Sequence, residues 1–524
     1  MRQSDMPQGF RASMTWLHTW AGVVLGALLF AIFWMGTLSV FDREMDRWMM
    51  PDTRLALPAA PISLDRLADE VDEMVPSDAR RWQVVFASER EPVLRFGYQT
   101  SEGAILTRQL DPASGAVLPD QGTLAGTGFI FPFHYSLHLN WRQLGIWLVG
   151  LAGMGMLVLL VSGVVIHRKI FIDFFTFRWE RKLPRSSLDL HNLTGVLGLP
   201  FHFVITLSGL IISFTIYFPT VMTTVYGNDR QAFFQEAFGS YQRETADLPA
   251  GERASLDAMA AEATERWGEP PFFLRVWQPG DAGATVELYR SRARSVDLNV
   301  DSLRFDAASG AVLHRHESAP VVHLQRFISG MHFIQFDHWP LRWLYFLLGL
   351  SGCVMIATGY LFWLESRRKR HAAQGLAGVR IVEGLTVGGV TGILIATLAF
   401  FVANRLLPLG ASFAGYERAG LEIWAFYLVW LATFAHAWLR PGRAWREQCW
   451  AVAGLALLAV TLNAATTGDH LLRTLAVPHL WPVAGMDLLL LVSAAIAALT
   501  AQRLGRRARP LLPQTAGAAA RPAE

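Results

Sequence analysis

Eight apolar stretches punctuate this 524-residue chain, most of them near the ~20 residues that a helix needs to cross a bilayer. They run from Trp16 to Val40, Trp141 to Ile166, Asn192 to Phe218, Pro340 to Leu364, Leu385 to Leu406, Leu421 to Leu439, Trp450 to Ala465 and Trp481 to Ala501. Lipid offers no partner for a backbone N–H or C=O, so such stretches close their own hydrogen bonds as helices. The expected fold is a polytopic α-helical membrane protein with about eight transmembrane helices. A composition with 52% hydrophobic residues, 19 Trp and 33 Phe excludes an ordinary soluble enzyme. The net charge of +3 is a small difference between 46 basic and 43 acidic residues, so nothing calls for nucleic acid or another polyanion as partner.

Basic residues orient the set. Arg168, Lys169, Arg178, Arg181, Lys182 and Arg185 fill the second connection, Arg367 to Arg370 the fourth, Arg440, Arg443 and Arg446 the sixth, and Arg503 to Arg509 the tail. All fall on the cytoplasmic side if both termini are cytoplasmic. The chain then divides into 1–40 (N-terminus and first span), 41–133 (first external domain), 134–218 (second span, basic loop, third span), 219–339 (second external domain), 340–365 (fourth span), 366–384 (basic loop), 385–502 (last four spans) and 503–524 (tail).

The first 365 residues read as a duplication of helix, external domain, helix. Ser63-Leu-Asp recurs at Ser255, and Asp111-Pro-Ala-Ser-Gly-Ala-Val-Leu returns as Asp306-Ala-Ala-Ser-Gly-Ala-Val-Leu, with Gly115 and Gly310 at the positive-φ position of the turn. The repeat continues into the membrane: His18 opens the first span as His-Thr-Trp-Ala-Gly and His191 the third as His-Asn-Leu-Thr-Gly. His134 precedes Trp141, and His332 precedes Trp339, by seven residues each; Ser162-Gly163 and Thr358-Gly359 lie late in the spans that follow.

Ionisable groups inside a membrane are costly and are functional candidates by default. The duplication sets His18 with His191 on the cytoplasmic side and His134 with His332 on the external side, where a planar group such as haem would bridge equivalent residues. His202 follows His191 by eleven residues, about 16 Å along a straight helix and on nearly the same face. It has no counterpart in the other copy. His138 and His167, 29 residues apart, stand about 43 Å apart along a helix and cannot share one iron. Trp20 suits a haem pocket, and Arg168, Lys169 and Arg185 suit propionates; the plainer alternative is that these aromatic and basic side chains only anchor the chain at the interface. With Cys353 and Cys449 the only cysteines, a CxxCH attachment is absent, so any haem is non-covalent and b-type.

The run SGVVIHRKIFIDFFTFR, the LDLHNLTGVLGLPFHF that follows, the His-x-Trp-x-Gly opening at His18 and the two external domains together resemble the PepSY-associated transmembrane helix proteins over about residues 10 to 370. That family includes iron-regulated bacterial inner-membrane proteins and di-haem ferric-siderophore reductases. The resemblance implies two α+β PepSY-like periplasmic domains, an inner-membrane location and a core that holds two b-type haems. It also implies reduction of iron(III) in a siderophore or similar chelate at the periplasmic face, with electrons from an unidentified donor. Its histidines fall here on His18, His134, His167, His191, His202 and His332, with His138 a weaker addition and the pairing left open.

Electron transfer of this kind needs no nucleophile or nucleotide motif, and neither a Rossmann fingerprint nor a P-loop occurs. The rival reading is a permease or sensor that uses the external domains to bind partners and keeps the histidines for structure. Against a permease, the two copies run parallel and the histidines gather in layers at the two faces instead of lining one central site.

Overall fold

The computed structural model describes residues 9–167, 183–227, 229–239, 241 and 243–507. With no proline inside it, α1 (Phe10–Ser39) runs unbroken through its apolar stretch. There follow α2 (Asp42–Met49), α3 (Leu64–Asp72), strands β1 (Arg81–Val85), β2 (Leu94–Gln99) and β3 (Ile105–Leu110), then α4 (Phe131–Ser136) and α5 (Leu144–Ile166). The second copy holds α6 (Leu183–Leu197), α7 (Leu199–Ile212), α8 (Leu256–Trp267), β4 (Pro271–Trp277), β5 (Thr285–Arg290), β6 (Ser302–Asp306), β7 (Val312–His316), α9 (Pro320–Phe333) and α10 (Trp339–Ala373). The chain finishes with α11 (Gly378–Leu406), α12 (Arg418–Leu439), α13 (Ala444–Thr467) and α14 (Trp481–Arg507).

Among the described residues, seven helical segments are long and apolar enough to cross a membrane, and the bent pair α6 and α7 makes an eighth crossing if counted as one span. The pair turns by 64° at Gly198, where Pro200 in the first turn of α7 has no N–H to continue the ladder. His191 and His202 therefore stand on two different helices. The expectation of one shared face assumed a straight helix, and the Gly-Leu-Pro sequence at the break removes it.

The segments 41–133 and 219–339 meet in one sheet. Its order is β3-β2-β1-β4-β5-β6-β7, and β1 of the first copy pairs antiparallel with β4 of the second, from Arg81 opposite Trp277 to Val85 opposite Phe273. Each copy would otherwise leave β1 or β4 as a bare edge, and joining them buries both. Trp82, Val84, Leu274, Val276, Leu288 and Phe305 pack one face of this sheet against Leu67 and Val71 of α3 and Met259 of α8. The copies also cap each other. Asp257 of α8 accepts the Leu64 N–H of α3 at 2.8 Å, and Asp65 of α3 accepts the Leu256 N–H of α8 at 2.5 Å.

Burial raises the Asp257 carboxyl, but the Leu64 N–H and its neighbours outweigh that and hold it below its ordinary value. A depressed folded pKa gives stability that is present above pH ~4 and fades as the pH falls further. Asp257→Ala is expected to cost about 1 kcal/mol and to flatten that acid limb; a thermal-melt series from pH 7 to pH 3 reads both.

The last four helices form a module that grips the segment that follows α1. Trp48 donates Nε1–H to Asp487 at 2.8 Å, Arg54 meets Asp469 at 2.7 Å and Asn463 at 2.9 Å, and Arg405 donates to the Trp48 carbonyl at 2.8 Å. Asp487, an ionisable residue within α14, thus accepts from Trp48 and lies near Arg54, both from outside the module, and near Arg405 from inside it. Phe129 and Phe133, flanking the start of α4, pack on Phe400 of α11 and Phe426 of α12, so the module also backs the helix that carries His134.

Candidate functional site

Four histidines come together as two pairs at different depths. His18 of α1 and His191 of α6 have ring centroids 6.3 Å apart, and His134 of α4 and His332 of α9 have theirs 5.9 Å apart. A metal bound by two imidazole nitrogens at about 2 Å each sets centroids roughly 6 Å apart, so both spacings suit one iron between two rings.

Each ring is held in the same way. Nδ1 of His18 lies 3.0 Å from the Leu159 carbonyl, Nδ1 of His191 2.7 Å from Met355, Nδ1 of His134 2.9 Å from Ile32 and Nδ1 of His332 2.8 Å from Ile205. A carbonyl only accepts, so every Nδ1 carries the proton and every Nε2 is left with its lone pair. This is how proteins fix the tautomer of a ligating histidine. Each accepting residue stands four positions before a glycine, namely Gly163, Gly359, Gly36 and Gly209. A Cβ on those glycines would come within 3.3, 3.2, 2.6 and 2.8 Å of Cε1 of His18, His191, His134 and His332 respectively. The missing side chain is what lets each ring lie against the neighbouring helix and reach its carbonyl.

His134 and His332 open onto a cleft of about 1760 Å³, its mouth included. Phe33 and Phe201 line its depth, and Asp42, Arg43, Arg90 and Arg95 line its sheet-domain end. These arginines come from α2 and the β1–β2 region, and nothing in the local sequence singled them out. A haem fits this donor set in its paired neutral imidazoles and its apolar and aromatic walls; the arginines at one end are already paired, Arg90 with Glu44 at 2.8 Å, Arg95 with Glu91 at 2.7 Å and Arg43 with the same Glu91.

The other candidates lie differently. His202 is fully buried and its Nε2 lies 3.2 Å from the Leu348 carbonyl, so Nδ1 is its unprotonated nitrogen; the ring packs on Phe33, and among the described residues no second histidine ring is paired with it. His138 gives Nε2–H to the Phe129 carbonyl at 3.0 Å and stacks on Phe129. His167 is the residue that ends α5. Trp20 lies on α1, two residues beyond His18, and is 47% exposed. Arg185 pairs with Asp189 at 3.1 Å within α6. Arg168 and Lys169 lie outside the described residues.

The sequence matches the family described as the PepSY-associated TM region over residues 15–366, a range that contains both histidine pairs, their glycines and the sheet. The chain belongs to the PepSY-associated transmembrane family. An uncharacterized protein of Pseudomonas aeruginosa is 30% identical to it over 380 residues, covering 69% of this chain and 91% of the relative. In this PepSY-associated protein the match ends at Ser366, within α10. The module of α11 to α14 therefore lies beyond the family region.

Proposed function

We propose that this PepSY-associated protein carries electrons across a bacterial inner membrane through two b-type haems and reduces iron(III) chelates, such as ferric siderophores, at its sheet-domain end. The observation that carries this reading is the doubled histidine pair, one at each end of the bundle, with every Nδ1 committed to a carbonyl. His18 and His191 would hold one haem and His134 and His332 the other; bound there, the groups supply one-electron transfer. The protein's own part is to fix the rings, to exclude water with Phe33, Phe201 and Leu29, and to face the outer cleft with Arg43, Arg90 and Arg95. An electron from a donor on the cytoplasmic side converts iron(III) to iron(II), which oxygen ligands hold more weakly, so the chelate releases it. The basic termini of α10 and α12, opposite the sheet, support a periplasmic sheet domain and cytoplasmic chain ends.

The test is the optical spectrum of the detergent-purified protein, oxidised and reduced, with a pyridine haemochrome count. Two b-type haems per chain are expected. A preparation without haem absorbance after haem-sufficient expression would sink the reading.

A further inference from the structure

The sheet has two unlike faces. One is the apolar face packed on α3 and α8; on the other, the register sets Arg81 opposite Trp277, Gln83 opposite Arg275, and Glu287 between Arg275 and Arg304. Guanidinium groups lie over rings throughout this second face. Arg81 is 5.1 Å from the Trp277 ring, Arg275 is 5.3 Å from Trp277 and 5.8 Å from Tyr289, and Arg304 is 5.6 Å from Trp277.

Acidic residues balance them only in part, and Arg95 at the end of the face is paired with Glu91 at 2.7 Å. Glu287 serves both Arg304 at 2.7 Å and Arg275 at 3.5 Å, while Asp306, on the same face, is paired with Arg243 at 2.6 Å. Burial, and then the neighbouring Arg275 charge, hold the Arg81 guanidinium below its ordinary value. The face is also continuous with the redox site. Val85 pairs with Arg95 at its end, and Arg95 lines the cleft onto which His134 and His332 open.

We propose that this face docks an iron(III) chelate that is anionic and carries aromatic rings, of the tris-catecholate kind. Arg81 and Arg275 take its charge, and Trp277 and Tyr289 stack on its rings; Arg304, buried and bonded to the Tyr241 carbonyl at 2.7 Å and to Glu287, and Arg95, paired with Glu91 at 2.7 Å, add to the positive field behind them. Arginine suits both tasks because its planar cation pairs with oxyanions and lies flat on aromatic rings. A neutral hydroxamate complex uses neither feature. The identity of the metal rests on the reductase reading above, whereas the docking chemistry does not.

Gallium(III) separates the two, because its complexes have the shape and charge of the iron(III) ones and accept no electron here. The full-length protein in detergent is titrated with gallium(III) tris-catecholate, a trianion, and with a neutral gallium(III) tris-hydroxamate, following tryptophan fluorescence and heat. The trianion is expected to bind at least about tenfold more tightly and to weaken as salt rises.

Arg81→Gln with Arg275→Gln is expected to lower that affinity about tenfold at unchanged haem content. Arg275→Lys, which keeps charge but not the flat stack, should fall between. Arg108→Gln, on the helix-covered face, should do nothing. If the double variant loses haem through misfolding, the half-buried Arg81→Gln alone carries the comparison. Equal affinity for the two complexes, an equal effect of Arg108→Gln, or equally tight binding of a polyglutamate peptide would overturn the docking proposal. Charge-selective gallium binding by a protein that reduces nothing would retain it and remove the reductase reading instead.

Discussion

Replacing His332 with alanine is expected to lower the haem content from two to about one per chain, because each iron in the proposed arrangement depends on a single pair of imidazoles. The haem that remains should still be reduced from the donor side, while reduction of an external iron(III) chelate falls to background. His18→Ala should give the mirror result: one haem kept near the sheet domain, and no reduction of it from the donor side. Two further variants make the test sharp. Leu29 follows His18 by the same eleven residues that separate His202 from His191, so His202→Leu installs the residue that the first copy already uses at that position. His202→Leu and His138→Leu should both keep two haems. Pyridine haemochrome counts on the four proteins check this; loss of haem in His202→Leu with both haems kept in His332→Ala would reverse the assignment.

A second large effect is expected at the glycines. Gly36→Val places a side chain where even a Cβ would lie 2.6 Å from the His134 ring. The ring must leave both the Ile32 carbonyl and its place opposite His332. Overpacking of this kind costs about 1–3 kcal/mol, which a membrane protein of this size survives, so the expected outcome is a folded chain with about one haem. Gly359→Val should do the same to the pair at the other end, where the Cβ would lie 3.2 Å from His191. Gly454→Ala is the control: a Cβ there meets nothing within 4 Å, and two haems should remain. Haem content measured beside a thermal melt separates the local effect from a general loss of fold. Two haems in Gly36→Val would show that the close approach of ring and helix is not needed.

The sequence carried much of this protein in plain view. Apolar length gave the spans, and the recurrence of His-x-x-x-Gly and of Asp-x-Ala-Ser-Gly gave the duplication and, through it, His18 with His191 and His134 with His332 as repeat-related candidates, with the ligand pairing left open. Those signals are local and periodic, so one chain read end to end contains them. Ser162-Gly163 and Thr358-Gly359 were visible too, but not what they do. Each of these glycines acts on a ring carried by a different helix, and the carbonyl it uncovers belongs to the residue four positions earlier.

What only the tertiary structure decided follows from contacts between distant segments. The 64° turn at Gly198 separates His191 from His202, although the Pro200 that causes it was legible. The fusion of segments 41–133 and 219–339 into one sheet comes from pairing β1 with β4, and the reciprocal caps of Asp65 and Asp257 come with it. Arg43 of α2, Arg90 of the β1–β2 connection and Arg95 of β2 meet at the cleft below His134 and His332, and strand register sets Arg81, Arg275 and Arg304 on one sheet face. A spacing rule reports neighbours along one element; it does not report which element lies across from it, and in this protein the opposing element holds each ring and collects each charge.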